Sequence, residues 1–177
     1  SGKSTLLLTL AGLIQPDKGS VIIGRENIVE KSQSRKTDWR RKNIGMVFQG
    51  FYLLPYFTVL ENVLFAAQKK GCVIQRKAVE ILESMGLSER ILHRPDELSM
   101  GQCQKTAIAR AIINAPRLLL IDEPTGNLDP QSAEDVMGIF KDLHEKQTTL
   151  ILVTHNPSIA DYADSHYNLE NGVLKRE

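Results

Sequence analysis

The sequence is poor in the residues that make metal and redox centres. It has two cysteines among its 177 residues, Cys72 and Cys103, and neither belongs to a metal-binding or redox spacing. A disulfide framework is thereby excluded, and two free thiols in a reducing compartment are expected. The histidines His93, His144, His155 and His166 form no metal-ligand pattern. Charge of one sign is also lacking: 22 Lys and Arg stand against 21 Asp and Glu, a net charge of +1. Such a chain has no global field to attract a nucleic acid, and none is expected as a partner. Long apolar runs are missing too. The longest, Leu6 to Ile14, is interrupted by Thr9 and Gly12 and is too short to span a bilayer. No internal repeat or low-complexity segment is present. What remains is 42% apolar and 24% charged, enough for one globular domain with its own core.

The stretch from Leu98 to Asp129 organises the chain. Leu118-Leu119-Leu120-Ile121 lies between Pro116 and Pro124, which suits a strand buried on both faces of a parallel sheet. Asp122 and Glu123 follow where the strand should end. Ligands of open α/β sheets bind beyond the carboxyl ends of their strands. A carboxylate pair there is costly to desolvate unless it meets a cation or polarises a water. The bland alternative is a strand running out into a solvated acidic turn.

Ser1-Gly2-Lys3-Ser4-Thr5 has the form of the end of a phosphate loop, G-x-x-x-x-G-K-[ST]. The first glycine and the strand before it would precede residue 1, so an N-terminally truncated piece of a longer chain is expected. Amides at a helix start would cradle phosphates, Lys3 would reach the outer ones, and the Ser4 hydroxyl would ligate Mg²⁺. A helix from Leu6 to Leu13 should stop at Gly12 and Pro16. Ser20 to Gly24 is a short β-rich run. The basic segment Lys31 to Lys42 reads as solvated surface, with a lipid-headgroup or nucleic-acid patch as the minority view. Ile44 to Phe48 is another strand candidate, ending at Gln49.

The next stretch reads as helical. Thr58 and Glu61 fit a capping box before the apolar stripe of Val59, Leu60, Val63, Leu64 and Ala67. Ala78, Ile81, Leu82 and Met85 form a second stripe, with Gly86 as its cap. Phe51, Tyr52, Tyr56 and Phe57 suit either the core or an exposed partner surface. Ser99 and Gln102 again fit a capping box, at a helix start that could serve as an anion site or merely be capped. Asp129-Pro130 starts a helix with its stripe at Ala133, Val136, Met137, Phe140 and Leu143. Leu150 to Val153 reads as a buried strand ending at Thr154-His155. Tyr167 to Lys175 reads as a hairpin turning at Asn171-Gly172. The fold expected is α/β: a P-loop NTPase core with a mostly parallel sheet, a helical insertion and a small β edge.

Lys3-Ser4, Gln49, Ser99-Gly101-Gln102, Asp122-Glu123, Asp129 and His155 occur in this order. As a set they resemble the nucleotide-binding subunit of ATP-binding cassette (ABC) transporters, over essentially the whole chain. Val47-Phe48-Gln49, Leu53-Leu54-Pro55, Thr58 to Asn62 and Asp122 to Asp129 resemble the branch serving lipoprotein release, macrolide export and peptide export. The resemblance implies one ATP-binding domain, with residues 1–49 and 96–177 as the core and 50–95 as a helical subdomain. It implies that Ser1, Gly2, Lys3, Ser4 and Thr5 hold ATP and that Ser4, Gln49 and Asp122 meet Mg²⁺. Glu123 would polarise the attacking water, and His155 would contact the γ-phosphate. Ser99, Gly101 and Gln102 would bind the nucleotide of a second ATP-binding subunit, with Asp129 in the loop crossing that interface. Membrane-spanning transporter subunits are implied as partners, and a peripheral site on the cytoplasmic face of the cell membrane as the location. Cargo is not legible.

Two features depart from the family pattern. The missing loop glycine is one. The other is Met100, Cys103 and Lys105, which stand where Leu-Ser-Gly-Gly-Gln followed by Gln-Gln-Arg is usual. A side chain at Met100 could hinder approach to phosphate, so weakened rather than abolished function is expected. A non-catalytic ATP-binding module is the alternative reading. A soluble DNA-maintenance ATPase fits less well, because no heptad run fills the space between Lys3 and Ser99. A P-loop kinase would leave Ser99 to Gln102 and His155 unexplained.

Overall fold

The computed structural model describes residues 2–176. Elements are numbered in chain order. Helix α1 (Lys3–Leu10) starts directly at the phosphate-loop lysine, behind Gly2 at φ 84°. A two-stranded antiparallel ribbon follows, β1 (Ile22–Ile23) with β2 (Glu26–Asn27), and then α2 (Gln33–Asn43). The central sheet holds β3 (Ile44–Val47), β4 (Leu118–Asp122) and β5 (Thr149–Val153) in that order, all parallel. Parallel neighbours need long crossovers. Between β3 and β4 run α3 (Val59–Ala66), α4 (Cys72–Ser84) and α5 (Met100–Ile112). Helix α6 (Pro130–Glu145) links β4 to β5, and a short α7 (Pro157–Ala160) follows β5. A hairpin of β6 (Tyr167–Glu170) and β7 (Val173–Arg176) comes last.

The apolar patterns act where the sequence puts them. Leu119, Leu120 and Ile121 of β4 are fully buried between β3 and β5. One face of the sheet carries the larger core, in which Val47, Leu119 and Ile121 meet Val59, Val63, Leu82, Ile108, Val136 and Phe140 from the helices. The other face packs Ile44, Leu118 and Leu120 on Leu7 of α1 and on Ala11, which caps it. The capping box at Thr58 forms, with Thr58 Oγ1 accepting from the Glu61 amide at 3.2 Å and Glu61 Oε2 accepting from the Thr58 amide at 2.8 Å. These contacts settle the entry of α3. The last hairpin turns at Asn171 (φ 48°) and Gly172 (φ 78°), the double left-handed turn that matches strand twist.

Three expectations need correction. The basic segment is not simply a solvated surface. It forms α2, whose Lys36 is 5% exposed and donates to Gln15 Oε1 at 2.8 Å, while Arg40 donates to the Ala11 carbonyl. A polar helix with no apolar stripe is anchored here by side-chain donors, which periodicity cannot reveal. Helix α1 ends at Leu10 rather than Leu13, because Gly12 turns left-handed at φ 65°. Strand β5 is half-exposed, since it is the edge of the sheet among the described residues. Its apolar run has the composition of a central strand, and only topology distinguishes the two.

Candidate active site

The three parallel strands end side by side, and their ends carry the chemistry. Gln49 lies two residues beyond β3, Asp122 closes β4, and Thr154-His155 follows β5. Gln49, Asp122 and His155 line one open cleft of about 320 Å³ together with Gly2, Lys3, Ser4, Thr5 and Glu123. Every sequence-predicted residue of the phosphate loop, the Mg²⁺ set and the catalytic set is thus in one place, apart from Ser1, which lies outside the described residues. The first residues of α1, Lys3, Ser4 and Thr5, line the cleft, and a helix start is an arrangement that attracts phosphate.

Glu123 is fixed from several sides. Its backbone is left-handed, φ 45°, rare for a residue with a side chain. Its amide donates to the Val153 carbonyl at 3.0 Å, which ties the turn after β4 to β5. Its carboxylate accepts from Thr154 Oγ1 at 3.1 Å and from His155 Nδ1 at 2.7 Å. A carboxylate has only acceptors to offer, so the His155 proton resides on Nδ1 and Nε2 is left for another partner. The Glu123 side chain is 17% exposed and that of His155 73%. The carboxylate is therefore held at the cleft wall with lone pairs to spare, and the imidazole reaches out.

The donor set suits a hard cation. Ser4 offers a hydroxyl, Gln49 an amide oxygen and Asp122 a carboxylate, all on one cleft. Mg²⁺ is commonly held by one or two carboxylates with substrate phosphates and waters, rather than by a full protein cage. No cluster of three or more His, Cys, Asp or Glu able to hold a metal occurs among the described residues.

Ser99, Gly101, Gln102 and Asp129 form a second group, apart from the cleft lining. Ser99 caps α5: its Oγ accepts from the Gln102 amide at 3.2 Å, and Gln102 Oε1 accepts from the Ser99 amide at 3.0 Å. Asp129 caps α6 by accepting from the Ser132 amide at 3.0 Å, and the hydrogen bonds at that helix start lower its pKa. The two helix starts touch. A Cβ on Gly101 would lie 2.6 Å from Ser132 Oγ, so a larger residue would force that side chain to shift. Lys105, standing where arginine is usual, still pairs with Asp135 of α6 at 2.8 Å. Met100 is 57% exposed beside this junction.

Sequence reasoning missed four participants. Thr154 is a second hydrogen-bond partner of Glu123, and only its place beside His155 hinted at it. Gly126 and Asn127 lean on Gln49: Asn127 Nδ2 donates to the Gln49 carbonyl at 3.4 Å, and a Cβ on Gly126 would come within 2.9 Å of Gln49 Nε2. Arg110 reaches the turn after Gln49 from α5. A lone cation in the apolar stripe of Ala107, Ile108, Ala111 and Ile112 was the available signal. Of the aromatic cluster, Tyr52 and Tyr56 are exposed, 70% and 84%, whereas Phe51 and Phe57 are half-buried.

The chain is similar to known proteins in sequence and in fold. A family model described as ABC transporter matches residues 1–126. The lipoprotein-releasing system ATP-binding protein LolD of Nitrobacter winogradskyi is 47% identical over 177 residues, covering 97% of this chain and 76% of that protein. LolD of Saccharophagus degradans is 42% identical over all of this chain and 79% of its own length. An uncharacterized ABC transporter ATP-binding protein of Thermotoga maritima is 43% identical, with 99% of this chain and 76% of that protein covered. Among solved structures, the dimeric post-hydrolysis state of the ATP-binding cassette MJ0796 bound to ADP and Pi superposes with a TM-score of 0.89 at 34% identity, covering 99% of this chain and 80% of that one. The chain belongs to the ABC transporter family.

Proposed function

We propose that the protein hydrolyses Mg-ATP in the cleft between Lys3 and Glu123 and thereby drives a membrane exporter of the lipoprotein-release type. Gly2, Lys3, Ser4 and Thr5, with Ser1 ahead of them, hold the phosphates, and Lys3 pairs with the β- and γ-oxygens. Ser4, Gln49 and Asp122 would hold Mg²⁺. The bound Mg²⁺ supplies neutralisation of phosphate charge. Glu123 accepts a hydrogen bond from the attacking water and orients it. His155 keeps that carboxylate in place through Nδ1 and offers Nε2 to the γ-phosphate. Positioning and charge neutralisation carry most of phosphoryl transfer. The observation that carries the reading is Glu123, locked by Thr154 and His155 on the same cleft as Lys3 and Ser4.

The second group completes the site in a head-to-tail homodimer: Ser99, Gly101 and Gln102 meet the nucleotide of the partner copy, and Asp129 lies in the loop crossing the interface. Residues 1–49 and 96–177 act as the catalytic core and residues 50–95 as the helical subdomain. The membrane-spanning subunits dock at the surface from Gln49 to Phe57, where Tyr52 and Tyr56 are exposed. The protein sits peripherally on the cytoplasmic face of the membrane. No described helix is long and apolar enough to cross a membrane.

The test is ATPase activity titrated with Mg²⁺. Asp122→Asn and Ser4→Ala should raise the Mg²⁺ concentration for half-maximal rate, while Lys3→Ala should weaken ATP binding itself. An unchanged Mg²⁺ requirement in both metal-site variants would remove them from that role. For docking, cysteines placed at Tyr52 and Tyr56 should cross-link to cytoplasmic loops of the membrane subunit. Efficient cross-links elsewhere but none here would move the docking surface.

A further inference from the structure

Arg110 stands on α5, about three helical turns beyond Ser99. Its guanidinium donates through Nη1 to the Tyr52 carbonyl at 2.5 Å and through Nη2 to the Phe51 carbonyl at 2.6 Å. Both acceptors belong to residues with left-handed backbones, Phe51 at φ 57° and Tyr52 at φ 47°. Side chains disfavour that conformation, and two in succession persist only where neighbours impose it. The turn is closed from within as well: the Phe51 amide donates to the Phe48 carbonyl at 3.2 Å and the Tyr52 amide to the Gly50 carbonyl at 2.5 Å. The Phe48 and Tyr52 rings meet edge to face at 5.4 Å. Gln49 is inside this knot. It lines the cleft beside Lys3 and Ser4, Asn127 Nδ2 donates to its carbonyl, and the missing side chain of Gly126 leaves room for its amide. Arg110 has no carboxylate partner among the described residues. Its burial, which lowers its pKa, is offset by carbonyls of this one turn.

We propose that Arg110 is a positioning residue for Gln49. By forking onto consecutive carbonyls it fixes the left-handed turn that aims the Gln49 side chain into the cleft. It does so from the helix whose start carries Ser99 and Gly101, so a movement of that helix is passed to the Gln49 turn. Nothing in this role is electrostatic at the phosphates, and lysine, a single point donor, cannot reproduce the fork. The inference rests on the reading of Gln49 as a Mg²⁺ and γ-phosphate group.

The test is a double-mutant cycle on ATP turnover, with Gln49→Ala and Arg110→Met alone and combined. Arg110→Met should lower kcat by roughly 10- to 100-fold, the scale of a misplaced catalytic group. It should raise the Mg²⁺ concentration for half-maximal rate, as Gln49→Ala does. In the Gln49→Ala background it should change kcat by less than about twofold, since its target is already gone. Should the Met variant lose its fold by thermal melting, Arg110→Lys, which keeps stem and charge, runs the same cycle. If the two losses multiply, Arg110 supports the fold and not Gln49, and the proposal is overturned. If Gln49→Ala alone leaves kcat and Mg²⁺ requirement unchanged, the role given to Gln49 falls first and takes this one with it.

Discussion

His155 Nδ1 donates to Glu123 Oε1 over 2.7 Å, joining the end of β5 to the end of β4. In the proposed mechanism the pair would make the geometry of the attacking water a property of the sheet, because each residue hangs from a strand whose register is fixed by its neighbour. His155→Ala should free the Glu123 carboxylate, leaving only Thr154 to hold it. A kcat loss of roughly 10²-fold with little change in ATP affinity is expected, the usual cost of losing such orientation. Steady-state kinetics beside nucleotide binding would check it, and an affinity loss with kcat intact would place His155 in binding alone.

Gly126 tests the packing on Gln49. A Cβ there would meet Gln49 Nε2 at 2.9 Å, the far end of a flexible side chain. Gly126→Ala should therefore shift stability by no more than about 0.5 kcal/mol, since the amide can move aside. The moved amide should show as a lower kcat and a higher Mg²⁺ requirement. Melting curves and Mg²⁺ titrations separate the two effects.

Met100 stands at the start of α5, 57% exposed, where the family usually has glycine. In the proposed head-to-tail dimer its side chain would face the partner copy's nucleotide and keep backbone amides from close approach. Met100→Gly should raise kcat by roughly 2- to 10-fold, less than about 1.4 kcal/mol of barrier. A lower rate would mean that the thioether makes a contact of its own.

Glu61 gives a pH signature. The Thr58 backbone amide and side chain hold its pKa below the ordinary carboxylate value. A depressed folded-state pKa contributes stability above the unfolded value and loses it as pH falls through the folded one. The gap in melting temperature between the protein and Glu61→Gln should thus be largest near about pH 7 and close towards about pH 3. Thr58→Ala removes the other half of the box and should cost about 1 kcal/mol at neutral pH.

Local signals in the sequence are strong where chemistry is local. Thr58 with Glu61, Ser99 with Gln102, Asp129 before Pro130 and Asn171-Gly172 each work within a few residues, and each forms as read. The buried run of β4 and the motifs at three strand ends also bring Gln49, Asp122, Glu123 and His155 to one cleft. What escapes is contact between distant residues. Arg110 reaches Tyr52 across 58 positions and Asn127 reaches Gln49 across 78. Neither pair has a spacing to betray it. The left-handed backbones of Phe51, Tyr52 and Glu123 escape for a related reason: tertiary contacts, rather than glycine, impose them. Likewise Lys36 is buried by a partner from α1's exit, not by its own helix pattern.

The most direct test of the account is single-turnover ATP hydrolysis by Glu123→Gln beside ATP binding by the same variant. The amide keeps the size of the side chain but cannot act as a base. The account predicts ATP affinity close to the parent's, hydrolysis slower by roughly 10²–10⁴-fold, and an ATP-bound dimer trapped on sizing columns. Hydrolysis near the parent rate would contradict it, because the carboxylate that His155 and Thr154 hold in the cleft would then not be the group that activates water.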